Sequence, residues 1–537
     1  MSDHALAVTL IALPVEIIIK ILSLLPKSAL ICLRSVNRDL ALIVTPLAFR
    51  SLRLQGYGDD PQRFMKIAES NTLREFVREV TCDTWAGPDV DHRNGPDINI
   101  PHDPAYNFPS DFFDSLSFLL CFRNLDTLNL RFSYDCGEKD YTSVRENYTF
   151  RRHILDTIFH CLAGTWSKEK QREICVEESD YEIKKFPPNI PISPISLTTL
   201  TISNLADYND PLFTESGVFR AVLNLRSLVD VRLYIATTTE SPLRVETTRF
   251  PEKYDMFESL PSTWLSSPVA ANLQVLSIYC HEWWGWLPKM DFRLVDELQN
   301  LKVLALGRFV FSHEWQIDWF GSLGLQEFYL DDCAVLHQAV QVVVDQSRSI
   351  VGQDAHGKKI IVSNAGYYDA ELDINVISPG RIRWHNLLCH WRDSMSKLRV
   401  FKMGHGERAR PRPTRYDEFF PDLFLSDNAF RNFDCPPPNA TGYDMFRKGT
   451  GMSQSREKQL AYVFYSGNEW EGNFDTYMET RNYFLETEGE DTVRSMYEGR
   501  RDWSLEDGLI AKDGMALNLF ISTLEARQIS MASQSPH

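Results

Sequence analysis

The sequence has no long apolar run, no closely paired cysteines and no excess of positive charge. No stretch approaches the ~20 consecutive apolar residues that a bilayer span needs, so a membrane protein is not expected. The 10 cysteines (Cys32, Cys82, Cys121, Cys136, Cys161, Cys175, Cys280, Cys333, Cys389 and Cys435) are scattered, and no two stand as C-x-x-C. That pattern fits buried thiols in a reducing compartment better than a disulfide framework or a zinc ribbon. The apolar segment Ala5–Val15 lacks a basic leader, because Asp3 precedes it, and Glu16 and Lys20 interrupt its continuation. It does not read as a signal peptide, and a cytoplasmic or nuclear protein is expected. Lys+Arg number 56 against 73 Asp+Glu, a formal net charge of -17. An acidic surface repels phosphate backbones and anionic lipid, so neither nucleic acid nor a membrane is an expected partner.

Catalytic patterns are missing too. There is no G-x-x-x-x-G-K-S/T, no G-x-G-x-x-G opening a helix, no G-x-S-x-G and no H-E-x-x-H. No enzyme, catalytic residue, cofactor or metal is therefore expected. His385, Cys389 and His390 share a predicted helix, the first two at the i, i+4 spacing of metal ligands. No second ligand cluster accompanies them, and a part-buried helix accounts for them. Asp331 and Asp332 fall at a strand end and read as a solvated turn before a carboxylate site.

What is present is the composition of a folded protein: 43% hydrophobic, 12% aromatic and 24% charged. The sharpest signal lies in the first 50 residues. Pro14 suits a first helical turn, and Ile17, Ile21, Leu24 and Leu25 recur at three- and four-residue steps. Pro26 ends that helix, Ser28 can cap a second carrying Leu30 and Leu33, and a third runs from Asp39 to Val44, closed by Pro46. So small a unit cannot turn all of Leu10, Ile11, Leu13, Ile17, Ile18, Ile19, Ile21 and Leu22 into its own core. Either it docks on the rest of the chain or it presents an apolar face to a partner.

Leu13-Pro14-Val15-Glu16-Ile17, Ile21-Leu22-Ser23-Leu24-Leu25-Pro26, Leu30, Leu33-Arg34-Ser35-Val36 and Arg38 together resemble the F-box at nearly every defining position. One departure is Leu40, where many members carry a large aromatic. The resemblance implies a three-helix module, here residues 10–54, that binds the Skp-type adaptor of Skp–cullin–F-box ubiquitin ligases. At the matching positions, Leu13, Pro14, Ile17, Ile21, Leu22, Leu30, Leu33 and Val36 would supply the adaptor contact and its supporting core.

Beyond residue 54 the pattern L-x-x-L-x-L recurs. It stands at Leu125/Leu128/Leu130, Leu197/Leu200/Ile202, Leu228/Val231/Leu233 and Leu273/Leu276/Ile278. It continues at Leu301/Leu304/Leu306, Leu325/Phe328/Leu330 and Leu398/Phe401/Met403, with weaker copies at Phe49/Leu52/Leu54 and Phe76/Val80/Cys82. Its last two positions alternate as a strand with one buried face does. Helical stretches intervene at Ser110–Cys121, Arg151–Leu162, Glu215–Leu223, His313–Phe320, Val335–Asp345 and Trp384–Met395. Strands alternating with helices predict an α/β fold of parallel strands joined by crossover helices. The result is an irregular solenoid, resembling leucine-rich repeats, over 70–435. The repeats are spaced more widely and unevenly than the ~20–29 residues of regular ones, so large insertions are expected, as at Gly87–Pro109, Phe186–Pro194, Glu240–Pro251 and Gly404–Pro413.

Residues 436–537 form a C-terminal region with a strand candidate at Leu460–Tyr465, an acidic tract and an amphipathic helix at Met515–Ala526 that would cap the last repeat. An N-terminal F-box, a Val80–Trp85 first strand and irregular repeats look like the large F-box proteins of filamentous fungi. By that resemblance the chain is a substrate-recognition subunit of a ubiquitin ligase, with the adaptor, the cullin scaffold and an unidentified client as partners. The alternative is a scaffold that binds the adaptor without ubiquitination. Candidate client anchors are Arg408, Arg410, Arg412 and Arg415 in a Pro-containing loop, and Trp283, Trp284 and Trp286 after a strand end. Guanidinium groups pair bidentately with phosphate or carboxylate, and exposed Trp makes good anchors. A solvated loop and core packing are the plainer accounts of the two sets.

Overall fold

The structure is a computed structural model that describes residues 13–25, 27–56, 58–84, 110–132, 136–137, 146–176, 184–189, 192–236, 251–286, 288–296, 298–331, 333–340, 349–353, 359–363, 377–380, 382–404, 460–465, 470–471 and 506–532. It is α/β, built on one large and mostly parallel sheet of 13 strands.

Three short helices come first: α1 (Val15–Leu22), α2 (Lys27–Arg34) and α3 (Arg38–Ala48). Asn37 caps α3, its side chain accepting from the Leu40 N–H at 2.8 Å. Contrary to expectation, α3 runs through Pro46 to Ala48. Pro46 costs the helix one rung, the bond its N–H would have made to the Leu42 carbonyl, and the burial of Val44 and Ala48 on either side of it holds the last turn in place. The unit's own core is small: Ile18, Leu22, Leu30, Val44 and Ala48.

The sheet begins at once. In order across it lie β1 (Ser51–Gln55), β2 (Glu79–Asp83), β3 (Thr127–Arg131), β4 (Thr199–Ala206), β5 (Asp230–Ala236), β6 (Val275–Trp284) and β7 (Val303–Phe311). From β7 the sheet forks. Its first half pairs with β8 (Glu327–Asp331), while Val310 and Phe311 pair with β9 (Ala334–Val340). β8 then pairs with β10 (Val400–Gly404), and β9 with β11 (Ala461–Tyr465), both parallel.

The repeated sequence pattern is the reason for this order. Leu52, Val80, Leu128, Leu200, Val231, Leu276, Leu304, Phe328 and Phe401 stand in register across successive strands. With the row two residues on, they make one continuous apolar face, nearly all of it buried. The first position of each triplet, from Leu125 to Leu398, is buried just before its strand. In the second copy that position is Val77, which is fully buried, and not Phe76, which is only half-buried. Each such Leu or Val contributes ~1.5–3 kcal/mol, so the face supplies a core that grows strand by strand.

Helices cover this face. α4 (Asp60–Glu69), α5 (Ser110–Leu116), α6 (Tyr148–Ala163), α7 (Gly217–Leu223), α8 (Glu314–Ser322) and α9 (Trp384–Ser394) all send residues into the main core. One expected helix is not there: Ala334–Val340 is strand β9. The apolar spacing from Val335 onward matched a helix face, but the segment is dense in Val, whose branched side chains favour a pleated strand, and β7 offers an unpaired outer half.

The C-terminal helix α10 spans Leu509–Ala532. It buries Leu509, Ala516, Leu517, Phe520 and Leu524, with the Phe520 ring edge-on to Phe401 at 4.9 Å. It also holds α9 at both ends. The Asp513 carboxylate accepts the His385 N–H at 2.9 Å and the Tyr462 hydroxyl at 2.5 Å, while Arg527 donates to the carbonyls of Arg392 at 2.6 Å and Met395 at 2.8 Å. An anion at the N-terminus and a cation at the C-terminus both suit the helix dipole. Among the described residues no helix is long and apolar enough to cross a membrane.

A pH dependence arises from helix Pro251–Ser259. Burial pushes the Glu258 carboxyl up to about 7; Lys289 opposes the rise and Asp255 adds to it. A carboxyl raised in the folded state binds its proton more tightly there than when unfolded. Its stabilising contribution is full below the unfolded value and is lost as pH rises through about 7. Glu258→Gln is therefore expected to raise the melting temperature at pH 8 and leave it unchanged at pH 4. Equal shifts in melts at both pH values would contradict the assignment.

Candidate functional site

Helix α1 is apolar on nearly every side: Val15, Ile17, Ile18, Ile19, Ile21 and Leu22, broken only by Glu16 and Lys20. A helix of that kind is normally enclosed by protein. Here one stripe, Ile18, Leu22 and the partly buried Leu25, faces α2 and α3. A second stripe one residue ahead, Ile17, Ile21 and Leu24, stands 45%, 38% and 82% exposed. Val15, Ile19, Ile31, Val36 and Leu42 extend the exposed apolar surface over the same unit. The other large exposed hydrophobics among the described residues are spread along the chain or lie on α10. Exposed apolar residues concentrated on one small unit point to an interaction surface.

The residues expected to hold an adaptor thus divide by position. Leu22 and Leu30 are core, and Leu13 and Leu33 are half-buried against it. Pro14, Ile17, Ile21 and Val36 are exposed. The surface is tied to the sheet through Phe49, which packs against both cores, and through the Lys27 ammonium, which donates to the Ser51 carbonyl at 2.6 Å. The Arg34 guanidinium lies over the Phe49 ring at 5.1 Å.

No protein-family model and no curated protein matches this chain. Its residues and their placement carry the functional reading.

The second face of the sheet carries a central row that is buried over most of its length, and α4 reaches its first strand through Asp60, which accepts from Arg53 at 3.2 Å. Its central row runs Arg53, Thr81, Asn129, Thr201, Arg232, Ser277, Ala305, Tyr329 and Lys402. Arg232 is held by Asp230 in a bidentate pair at 2.6 and 2.8 Å. Burial pulls the Arg131 guanidinium down to about 10, with Asp83 and Glu79 pushing it back. Towards β10 the face turns apolar, with Val275, Val303, Ala305, Tyr329 and Val400 packed together.

The expected client anchors fare differently from one another. Arg408, Arg410, Arg412 and Arg415 lie outside the described residues. Trp284 is fully buried, its indole N–H donating to the Gly307 carbonyl at 2.7 Å, and Trp286 is buried as well. These two are packing residues, not anchors, because β6 continues to Trp284 and turns it into the core beside Phe292 and Phe309. Trp283 is half-buried, with the Arg308 guanidinium 6.0 Å from its ring centre. His385 Nδ1 is engaged with Asp513 at 2.7 Å and His390 Nε2 lies 3.5 Å from Asp318. Among the described residues no group of His, Cys, Asp or Glu is arranged to hold a metal. Cys82, Cys121, Cys161, Cys280 and Cys333 are buried thiols outside any disulfide, and burial pushes the Cys121 thiol up to about 11.

The polar row is masked in the sequence by the stronger leucine pattern on either side of it. Its only signal is the middle residue of each L-x-L, where Asn129, Thr201, Arg232 and Ser277 follow one another.

Proposed function

We propose that the chain is the substrate-recognition subunit of a Skp–cullin–F-box ubiquitin ligase. The three-helix unit would be its F-box, and the parallel sheet with its helices an irregular leucine-rich-repeat-like solenoid. The observation that carries this is the exposed Ile17/Ile21/Leu24 stripe on a unit whose sequence resembles the F-box. The adaptor would cover that stripe, and a client would lie on the solenoid or the insertions beside it. Arg408, Arg410, Arg412, Arg415 and the half-buried Trp283 remain candidate anchors. Holding a client lysine near a ubiquitin-loaded conjugating enzyme raises its effective concentration and orients it, which accelerates transfer without a catalytic residue in this chain.

Affinity purification of the tagged full-length chain, followed by mass spectrometry, tests the proposal. Adaptor together with cullin is the expected result. Adaptor alone favours the scaffold alternative, and recovery of neither contradicts both.

A further inference from the structure

A cavity lies between the first half of α6 and the carboxyl ends of β3 and β4. In open α/β sheets that end is the usual place for a ligand. Five of its wall residues are aromatic: Phe132, Tyr148, Tyr208, Phe213 and Trp264. The Tyr148 and Tyr208 rings stack with centres 4.0 Å apart, and Phe213 tilts against Trp264 at 6.4 Å. The charged side chains among the walls are engaged. Arg151 donates to the Asn204 carbonyl at 2.6 Å and lies over the Phe132 ring, and Arg152 lies 3.5 Å from Asp210. The surface left facing the cavity is mostly apolar.

The backbone beside the cavity is fixed by the cavity's own walls. β4 slips register against β5 between Ile202 and Leu205, and Asn204 takes a φ of 58° there. The Asn204 side chain donates to the Phe132 carbonyl at 2.8 Å, while Arg151 holds the Asn204 carbonyl. Such a bulge re-aims side chains beside a binding site. Size then selects the occupant. A water's centre can range over about 40 Å³ of the cavity, and one water needs on the order of 10–15 Å³. About three waters, or a single six-membered ring, therefore fill it. Aromatic walls favour a ring that can meet them edge to face. Apart from the half-buried Tyr148 and Asp210, the wall residues are buried, which leaves no room for a peptide main chain to follow a side chain in.

We propose that this cavity is a binding site for a free small molecule, an uncharged single aromatic ring. Saturation-transfer NMR of the full-length protein tests this with toluene, methylcyclohexane, benzoate and naphthalene as probes. Toluene should bind the wild type with a Kd tighter than ~1 mM. Methylcyclohexane, which has no π face, and benzoate, whose charge would be buried, should bind about tenfold more weakly or worse. Ala206 packs with Tyr208 and Tyr148 at the end of β4, so Ala206→Val fills the space and should weaken toluene by about tenfold or more. Leu155→Ala enlarges the cavity and should admit naphthalene, which the wild type excludes. Absence of toluene binding to the wild type, or equal binding of methylcyclohexane or benzoate, would overturn the proposal. Unchanged toluene affinity in Ala206→Val, or a cooperatively melting Leu155→Ala chain that still excludes naphthalene, would overturn it as well.

Discussion

Gly307→Val is expected to yield no cooperatively folded protein. Gly307 stands beside Tyr279 in the register of β6 and β7, and the Tyr279 ring occupies the space a Cβ would need. The ring cannot swing aside cheaply, because it is buried and packs against Tyr234 at 5.1 Å. The backbone cannot shift either: the Gly307 carbonyl accepts the Trp284 indole N–H, and Arg308 next to it is held at a φ of 56°. Overpacking a well-filled core costs ~1–3 kcal/mol when neighbours can adjust and more when they cannot. That is a large share of the ~5–15 kcal/mol by which a typical domain is stable. The milder Gly307→Ala supplies the control. Combined with Tyr279→Ala, it should cost less than the sum of the two single changes by ~1–3 kcal/mol in urea melts, because the clash vanishes with the ring. Strict additivity would show that the ring is not what excludes a side chain here.

The second large effect separates two neighbours on α1. Leu22→Ala removes a fully buried side chain and should destabilise the three-helix unit by ~2–5 kcal/mol. Ile17→Asp with Ile21→Asp alters side chains that are already 45% and 38% exposed, so the melt should fall by much less than in Leu22→Ala. Adaptor binding should instead fall by on the order of 10³-fold, given ~2 kcal/mol or more for each apolar anchor in an interface. A loss of stability in the surface pair as large as that of Leu22→Ala, or retention of adaptor by it, would remove α1 as the docking element.

Much of the sheet was legible in the sequence, for a physical reason. A strand buried on one face and repeated in register must place apolar residues at the same two positions each time, and Leu128/Leu130 through Phe401/Met403 do so. Where the fold departs, local pattern and tertiary context disagree. The segment from Val335 carries helical spacing but β-branched residues, and the outer half of β7 decided for a strand as far as Val340. Pro46 carried a stop signal that the last turn of α3 could ignore. The apolar excess of α1 was plain in the sequence, but which residues face outward was not: Ile21 and Leu22 are adjacent, and only the packing of α2 and α3 assigns one to water and the other to the core. Trp283 and Trp284 split in the same way.

The central claim is that the exposed stripe of α1 is made to be covered by a Skp-type adaptor, and titration calorimetry of the full-length chain with purified adaptor tests it most directly. The account predicts a one-to-one complex tighter than ~1 μM, equivalent to about -8 kcal/mol, with the negative heat-capacity change of apolar burial. A cooperatively folded chain that releases no heat of binding and co-elutes with no adaptor would contradict it.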